Sequence, residues 1–244
     1  MNRGPVFATI VALAVVAPIP MAVSARAGSQ LQRKGDEAPT LPAQPRLESA
    51  SAATPAAAAI LPDGALRKTI EQRQQSHPGT QHSNLGGWQS SWDMDRWGGA
   101  AAIKLLAIGR NTANRVTTDR QGKPVATTWR ANMWANINKS GHGNEFHSHP
   151  GSFWSCVYYV DDGGIAADPS LGGELEFMDP RGPGPAMYAP HLAFAMPGGL
   201  SVGANETVPP KSGRLVMFPA WLLHQVRPYR GGAARISIAF NLSL

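Results

Sequence analysis

The chain has 244 residues, 43% of them hydrophobic, a single cysteine and a formal net charge of +6. That length supports one domain with a sizeable buried core, and one cysteine excludes an internal disulfide. The charge does not point to nucleic acid. Residues 1–62 carry +2 (five basic, three acidic), 63–139 carry +6 (eleven basic, five acidic) and 140–244 carry −2 (six basic, eight acidic). The basic residues from Arg67 to Lys139 are scattered, with no run and no interleaved aromatics, so they read as a solvated helical face and no nucleic-acid partner is expected.

Met1–Ala25 has the pattern of a secretory signal peptide. Arg3 forms a short positive start, Val6–Val16 is an uncharged apolar run, and Val23-Ser24-Ala25 offers small residues for cleavage. The expected location is therefore exported, periplasmic or secreted; an uncleaved N-terminus anchored in the membrane is the alternative. Residues 26–62 read as a disordered linker: Pro39, Pro42, Pro45, Pro55 and Pro62, an alanine run at Ala56–Ala59 and no aromatic residue leave too little apolar surface to offset the entropy of ordering. Seventeen of the eighteen aromatic residues lie in 88–244. The packed domain is thus 63–244, with a helical part over 63–123 and a β part over 124–244.

Within the helical part, Asp63–Ser76 is an expected helix with Asp63 as N-cap and Leu66 and Ile70 at helical spacing. Asn84–Ser90 reads as a turn anchored by Trp88. Asp95–Thr118 is an expected amphipathic helix through Trp97, Ala101, Leu105, Ile108 and Val116. His77 and His82 fall in polar loops and read as solvated. From Pro124 the period shortens: Thr127–Asn138, Phe153–Val160, Glu174–Met178, Leu215–Phe218, Gln225–Tyr229 and Arg235–Leu242 are expected strands. Arg230-Gly231-Gly232 reads as a hairpin bend that would make the last two strands antiparallel neighbours. Short strands after two helices imply a mainly β fold, a β-sandwich or jelly-roll barrel with helices on its outside. Cys156, between Trp154 and Tyr158, reads as a small buried hydrophobe.

The chemistry concentrates in Gly141–Pro150. In a strand, residues two apart point the same way, so His147 and His149 share a face, and His224 is the natural third partner. Three neutral nitrogen donors suit iron, copper, nickel or zinc rather than calcium or magnesium. The same alternation places Glu145 near that face. Arg235, Ser237, Ala239 and Asn241 alternate with Ile236, Ile238 and Phe240, the pattern of a strand with one polar face toward a barrel interior. Tyr158 and Tyr159 point to opposite faces, one of them into the pocket. Asp179-Pro180-Arg181 reads as a turn, and His142 and His191 sit in loops.

Gly141 with His147-x-His149, and Gly213 with Pro219 and His224, are similar to the two cupin motifs. A closer resemblance spans residues 84–244. Asn84-Leu-Gly-Gly-Trp-Gln-Ser, Trp134-x-Asn136-x-Asn138, His-x-His-Pro, Val157-Tyr-Tyr-Val, Gly173-Glu-Leu-Glu-Phe-Met-Asp179-Pro-Arg, Phe218-Pro and Arg235-Ile-Ser-Ile-Ala-Phe-Asn241 together resemble a family of 2-oxoglutarate/Fe(II)-dependent oxygenases. The resemblance implies a double-stranded β-helix and an iron site of the His-x-Asp/Glu…His type, with His147 and His224 as ligands and His149 where an acidic residue is usual. It implies a 2-oxoglutarate site at Arg235 and Ser237. Asn136 matches an asparagine that one branch of the superfamily carries eleven residues before the first ligand, and Asn138 stands where a tyrosine is usual. The activity implied is a dioxygenase, a hydroxylase of a small-molecule or peptide substrate that the sequence does not name, using Fe(II) and 2-oxoglutarate. Two alternatives follow from the residues: a three-histidine cupin-type dioxygenase without 2-oxoglutarate, or a non-catalytic jelly-roll binding module.

Overall fold

The computed structural model describes the backbone of Ile10–Ala12, Leu61, residues 63–180, Gly182, Ala189, His191 and residues 205–244. The expected signal peptide and linker lie outside these residues, apart from Leu61 and from Ile10–Ala12 (β1), whose backbone runs parallel to Leu215–Met217. No helix among the described residues is long and apolar enough to cross a membrane.

The helical part folds first in chain order. Helix α1 spans Asp63–Ser76 and buries Leu66 and Ile70. Two short strands follow, β2 (Asn84–Leu85) and β3 (Trp88–Gln89), where a simple turn was expected. The second expected helix is two: α2 (Met94–Trp97) and α3 (Gly99–Val116). Gly99 has φ +71°, a conformation that side-chain-bearing residues avoid and a helix interior cannot contain, so the chain turns at this first residue of α3 and the two helices stay separate. Farther along, a Cβ at Gly109 would sit 2.4 Å from the Phe240 ring; the bare backbone lets α3 lie close on the sheet beneath.

The β part forms two facing sheets. The larger has the order β1-β9-β6-β11-β4-β3 and the smaller β2-β5-β10-β7-β8, where β4 is Arg130–Asn138, β5 Gly143–His147, β6 Trp154–Asp161, β7 Leu175–Phe177, β8 Glu206–Val208, β9 Leu215–Pro219, β10 His224–Val226 and β11 Arg235–Ser243. Every pairing but that of β1 is antiparallel. This is the jelly roll expected from the strand pattern, with helices on one outer face. The β2, β3 and β8 pieces, two or three residues long, carry too little periodicity to be read in advance.

The expected hairpin at Arg230–Gly232 is corrected. β10 pairs with β5 and β7, whereas β11 pairs with β4 and β6. The segment between them crosses from one sheet to the other, and Tyr229 anchors it: its hydroxyl donates toward the carbonyls of Gly163 (2.6 Å) and Ala233 (2.8 Å). Gly-Gly in a chain reads alike whether the backbone reverses within a sheet or arches between two.

Alternation explains where the cores lie. Ile236, Ile238, Phe240 and Leu242 face outward from β11 and join Met133, Ala135, Ile137, Cys156 and Tyr158 beneath Leu66, Ile70, Leu105 and Leu106 of the helices. Between the sheets a smaller cluster of Leu175, Phe177, Val216, Phe218 and Leu222 closes one side. The main apolar burial is thus outside the larger sheet, which frees its inner face for polar residues.

Candidate metal centre

The inner face of the smaller sheet presents imidazoles. His147 and His224 are direct cross-strand partners on β5 and β10, so their side chains project to one face. Their ring centroids are 4.4 Å apart, and His149 lies 5.0 Å from His147 and 5.1 Å from His224. One nitrogen from each ring falls within 4.8 Å of the others, so the three could hold a metal ion. His149 stands beyond the end of β5, held by its N–H to the Ala220 carbonyl (2.9 Å). It joins the cluster from two residues past His147, outside the β5 ladder that the alternation argument assumed.

A second departure is a β-bulge. His224 pairs with His147, but Val226 pairs with Asn144, so Glu145 and Phe146 together oppose Gln225. A bulge re-aims the side chains around it. Here it brings Asn144 into the cavity with His147, and Glu145 is left exposed outside it. The expectation that Glu145 shares the histidine face therefore fails, for want of any local signal of an inserted residue.

The histidines are set up as neutral ligands. Burial is the main force holding all three below the ordinary imidazole range, His149 at about 4 and His224 at about 3; mutual repulsion adds to this at both, from His147 and His82 on His149 and from His147 and His149 on His224. The Nδ1 atoms of His147 and His224 lie 2.7 Å from the Glu145 carbonyl and 2.8 Å from the Leu222 carbonyl. A carbonyl only accepts, so each Nδ1 carries the proton and leaves Nε2 with its lone pair free. Phe218 packs on His224 (4.7 Å between centroids) and Trp134 near His149 (5.8 Å), fixing two of the rings from behind.

The larger sheet faces this trio across a cavity of about 310 Å³. Strand register sorts its inner residues into rows. Asn136, Ser237 and Tyr159 lie opposite one another on β4, β11 and β6, with Asn138 and Arg235 paired just beyond. Next comes an apolar row of Trp134, Ala239, Val157 and Val216, and then Asn132, Asn241 and Ser155. Two polar bands are thus separated by an apolar belt.

The first band contains a buried cation. Arg235 is 1% exposed. Its Nη1 donates to Asn138 Oδ1 at 3.3 Å, its Nε has no partner, and no carboxylate pairs with it among the described residues. The Tyr159 ring lies 5.2 Å from the guanidinium carbon, and its buried hydroxyl, beside that guanidinium, makes no well-aligned hydrogen bond among the described residues. Burial pulls the guanidinium below its usual range, with Tyr159, Tyr229 and Asp162 offsetting part of that. Burial raises the Tyr159 phenol, which Arg235 in turn lowers. A desolvated charge without a counterion is costly, and the donor fork fits a carboxylate. The set therefore fits a dicarboxylate as the histidines fit a metal.

Each anticipated residue can now be placed. His147, His149, His224, Arg235, Ser237 and Asn136 line one cavity, and Asn138 bonds Arg235 from its side. Of the two tyrosines, Tyr159 enters the cavity; Tyr158 points to the helices, its hydroxyl donating to Asp63 Oδ1 at 2.6 Å. Gly182 N–H donates to the Asp179 carbonyl (3.1 Å), the turn expected there. His142 Nδ1 accepts from the Lys139 N–H at 3.0 Å, outside the cavity, and His191 is exposed. His82, read as solvated, is exposed yet lines the cavity mouth, its ring 5.8 Å from that of Trp92. Sequence reasoning also missed Asn144, Trp92, Asn132, Ser155 and Gln89; for Ser155 and Asn132, the alternation around Tyr159 and Asn136 held the signal.

Residues 132–241 match the family model described as "Putative 2OG-Fe(II) oxygenase". No curated protein matches the chain. Among solved structures, a prolyl-4-hydroxylase from Pseudomonas putida is 18% identical with a TM-score of 0.51, covering 75% of this chain and 88% of its own. A prolyl hydroxylase from Trichoplax adhaerens, in complex with a hypoxia inducible factor oxygen degradation domain peptide fragment, is 18% identical with a TM-score of 0.50, covering 74% and 77%. At such identity the likeness is one of fold.

Proposed function

We propose that this chain is a 2OG-Fe(II) oxygenase, the family whose model its residues 132–241 match, and that its two sheets divide the labour. His147, His149 and His224 hold Fe(II). Arg235 and Ser237, flanked by Asn136 and Asn138, hold 2-oxoglutarate, and Tyr159 joins them. The observation that carries this reading is a buried guanidinium, with no carboxylate paired to it among the described residues, in the same cavity as three converging neutral imidazoles. Bound there, iron and 2-oxoglutarate would supply, with dioxygen as the oxidant, the hydroxylation of an unactivated C–H bond, one oxygen atom going to the substrate and the other to succinate as carbon dioxide leaves.

The protein's own contribution is binding and orientation. Arg235 pairs with the far carboxylate through two charge-assisted hydrogen bonds, and the Ser237 and Tyr159 hydroxyls donate to the oxygen lone pairs that remain. The carbonyls of Glu145 and Leu222 keep His147 and His224 in the tautomer that ligates through Nε2. Three imidazoles bring no negative charge to a divalent ion, so the dianionic co-substrate provides the balance. The apolar belt of Trp134, Ala239 and Val157 keeps water from the space between the two halves.

Anaerobic titration with Fe(II), then 2-oxoglutarate, tests this. One metal per chain is expected in the wild type, with binding lost in His147→Ala and His224→Ala, and succinate should form in air only when both iron and 2-oxoglutarate are present. Oxygen uptake with iron but no 2-oxoglutarate would favour a three-histidine dioxygenase, for which the Arg235 cradle has no use. The compartment proposed is outside the cytoplasm, on the pattern of Met1–Ala25. N-terminal sequencing of the mature protein should then find it starting after Ala25; a start at Met1 would mean a retained anchor.

A further inference from the structure

The second polar band has no place in that division of labour, and it is built. Asn241 is 6% exposed and Ser155 1% exposed. The Ser155 hydroxyl donates to Asn241 Oδ1 at 2.8 Å, so one end of the carboxamide is taken. No hydrogen bond engages its Nδ2 among the described residues, and the side chain lines the cavity. Asn132 stands directly across from it on β4, exposed at the mouth with both ends of its carboxamide available.

We propose that Asn241, locked by Ser155, and Asn132 form the substrate subsite of this oxygenase, and that the subsite takes a neutral amide group, the peptide unit of a polypeptide or an acylated amine. This rests on the oxygenase reading above. Three observations set the chemistry. Among the described lining residues Arg235 is the one with a fixed charge, and it sits in the co-substrate band. A site without a second cation or any carboxylate selects against charged substrate groups, which would lose their hydration and gain no partner. A carboxamide pairs with an amide at two points, the carbonyl accepting from Nδ2 and the N–H donating to Oδ1; Asn241 supplies the first and Asn132 either. Trp134, 7% exposed in the apolar belt, offers no flat platform for a sugar ring, and the exposed Trp92 stands at the mouth beside His82, so the glucoside is a necessary comparator. The belt, opposite the histidines, then receives the C–H bearing group next to the amide.

The test is calorimetry under anaerobic conditions on the full chain loaded with Fe(II) and 2-oxoglutarate, using three probes: N-acetyl-alanine methylamide, its free-acid analogue N-acetylalaninate, and methyl β-glucoside. The methylamide should bind at least tenfold more tightly than either comparator. Equal or tighter binding of the acid or the glucoside overturns the proposal. Asn241→Asp, which keeps the shape but replaces the donor with an acceptor, should weaken the methylamide at least tenfold; undiminished binding in that variant overturns it too. The wild-type ranking of the three probes stands whether or not the variant folds. Failure of Fe(II) or 2-oxoglutarate to load, seen before any probe is added, sinks the underlying function instead.

Discussion

The two sheets of the jelly roll solve opposite electrostatic problems. The smaller brings three imidazoles within 4.8 Å and removes their charge by burying them, so that a cation is welcome. The larger buries a charge outright, Arg235 at 1% exposure, with no carboxylate paired to it among the described residues, so that an anion is welcome. Each half is unfavourable by itself: neutral histidines packed together forgo hydration, and a lone guanidinium forgoes its counterion. Together they make a cavity that a metal and a dicarboxylate complete, which is why the two halves are better read as one site than as two curiosities of packing.

The comparison can be broken most severely on the histidine side. His224→Ala removes the most buried ligand, and Fe(II) affinity should fall on the order of 100-fold or more, since metal affinity resides in the full ligand set. Anaerobic titration reads this directly. On the other side, Arg235→Met should weaken 2-oxoglutarate about 100-fold, the usual scale for losing one partner of a buried charge pair. The same change should leave the unliganded protein as stable or more so, by about 1–3 kcal/mol, because an apolar chain replaces an uncompensated charge. Thermal melts with and without 2-oxoglutarate separate the two effects; a large loss of stability in the unliganded variant would mean that Arg235 serves the fold.

Acid sharpens the contrast further. His149 and His224 titrate in the folded protein at about 4 and about 3, below the ordinary value near 6.5 that they regain on unfolding. The unfolded chain therefore binds more protons between those values, and stability must fall as pH drops from about 6.5 toward 3. Urea midpoints of the metal-free protein should decline across that window, and more shallowly in a His149→Gln/His224→Gln variant. A smaller effect is expected from Tyr159→Phe. Its hydroxyl makes no well-aligned hydrogen bond among the described residues, so its removal should cost the free protein little, yet 2-oxoglutarate affinity should drop about fivefold, one hydrogen bond's worth.

The sequence was most informative where chemistry and periodicity coincide. His147 and His149 are legible because two histidines two residues apart in a β context point to a shared face, and His224 because it is the natural third donor elsewhere in the chain. Arg235 is legible because strict alternation with Ile236, Ile238 and Phe240 assigns it a face. Local pattern fails where the third dimension decides. Glu145 misleads because nothing in Gly143–His147 announces a bulge, which exists only as a mismatch with β10. The Gly231-Gly232 segment misleads because local conformation does not say which sheet the chain enters next. Tyr158 and Tyr159 could be told apart only once the helices had claimed the outer face, and Asn241 gained its meaning only when Ser155 proved to be its neighbour.

The central claim, that a metal and a dicarboxylate share one cavity between the sheets, has a direct test. A crystal of the full chain grown without oxygen in Fe(II) and 2-oxoglutarate should show metal density bonded to Nε2 of His147 and His224 and to His149, with one carboxylate of 2-oxoglutarate on the metal and the other in the fork of Arg235. Metal density away from these imidazoles, or 2-oxoglutarate bound with Arg235 still unpaired, would contradict it.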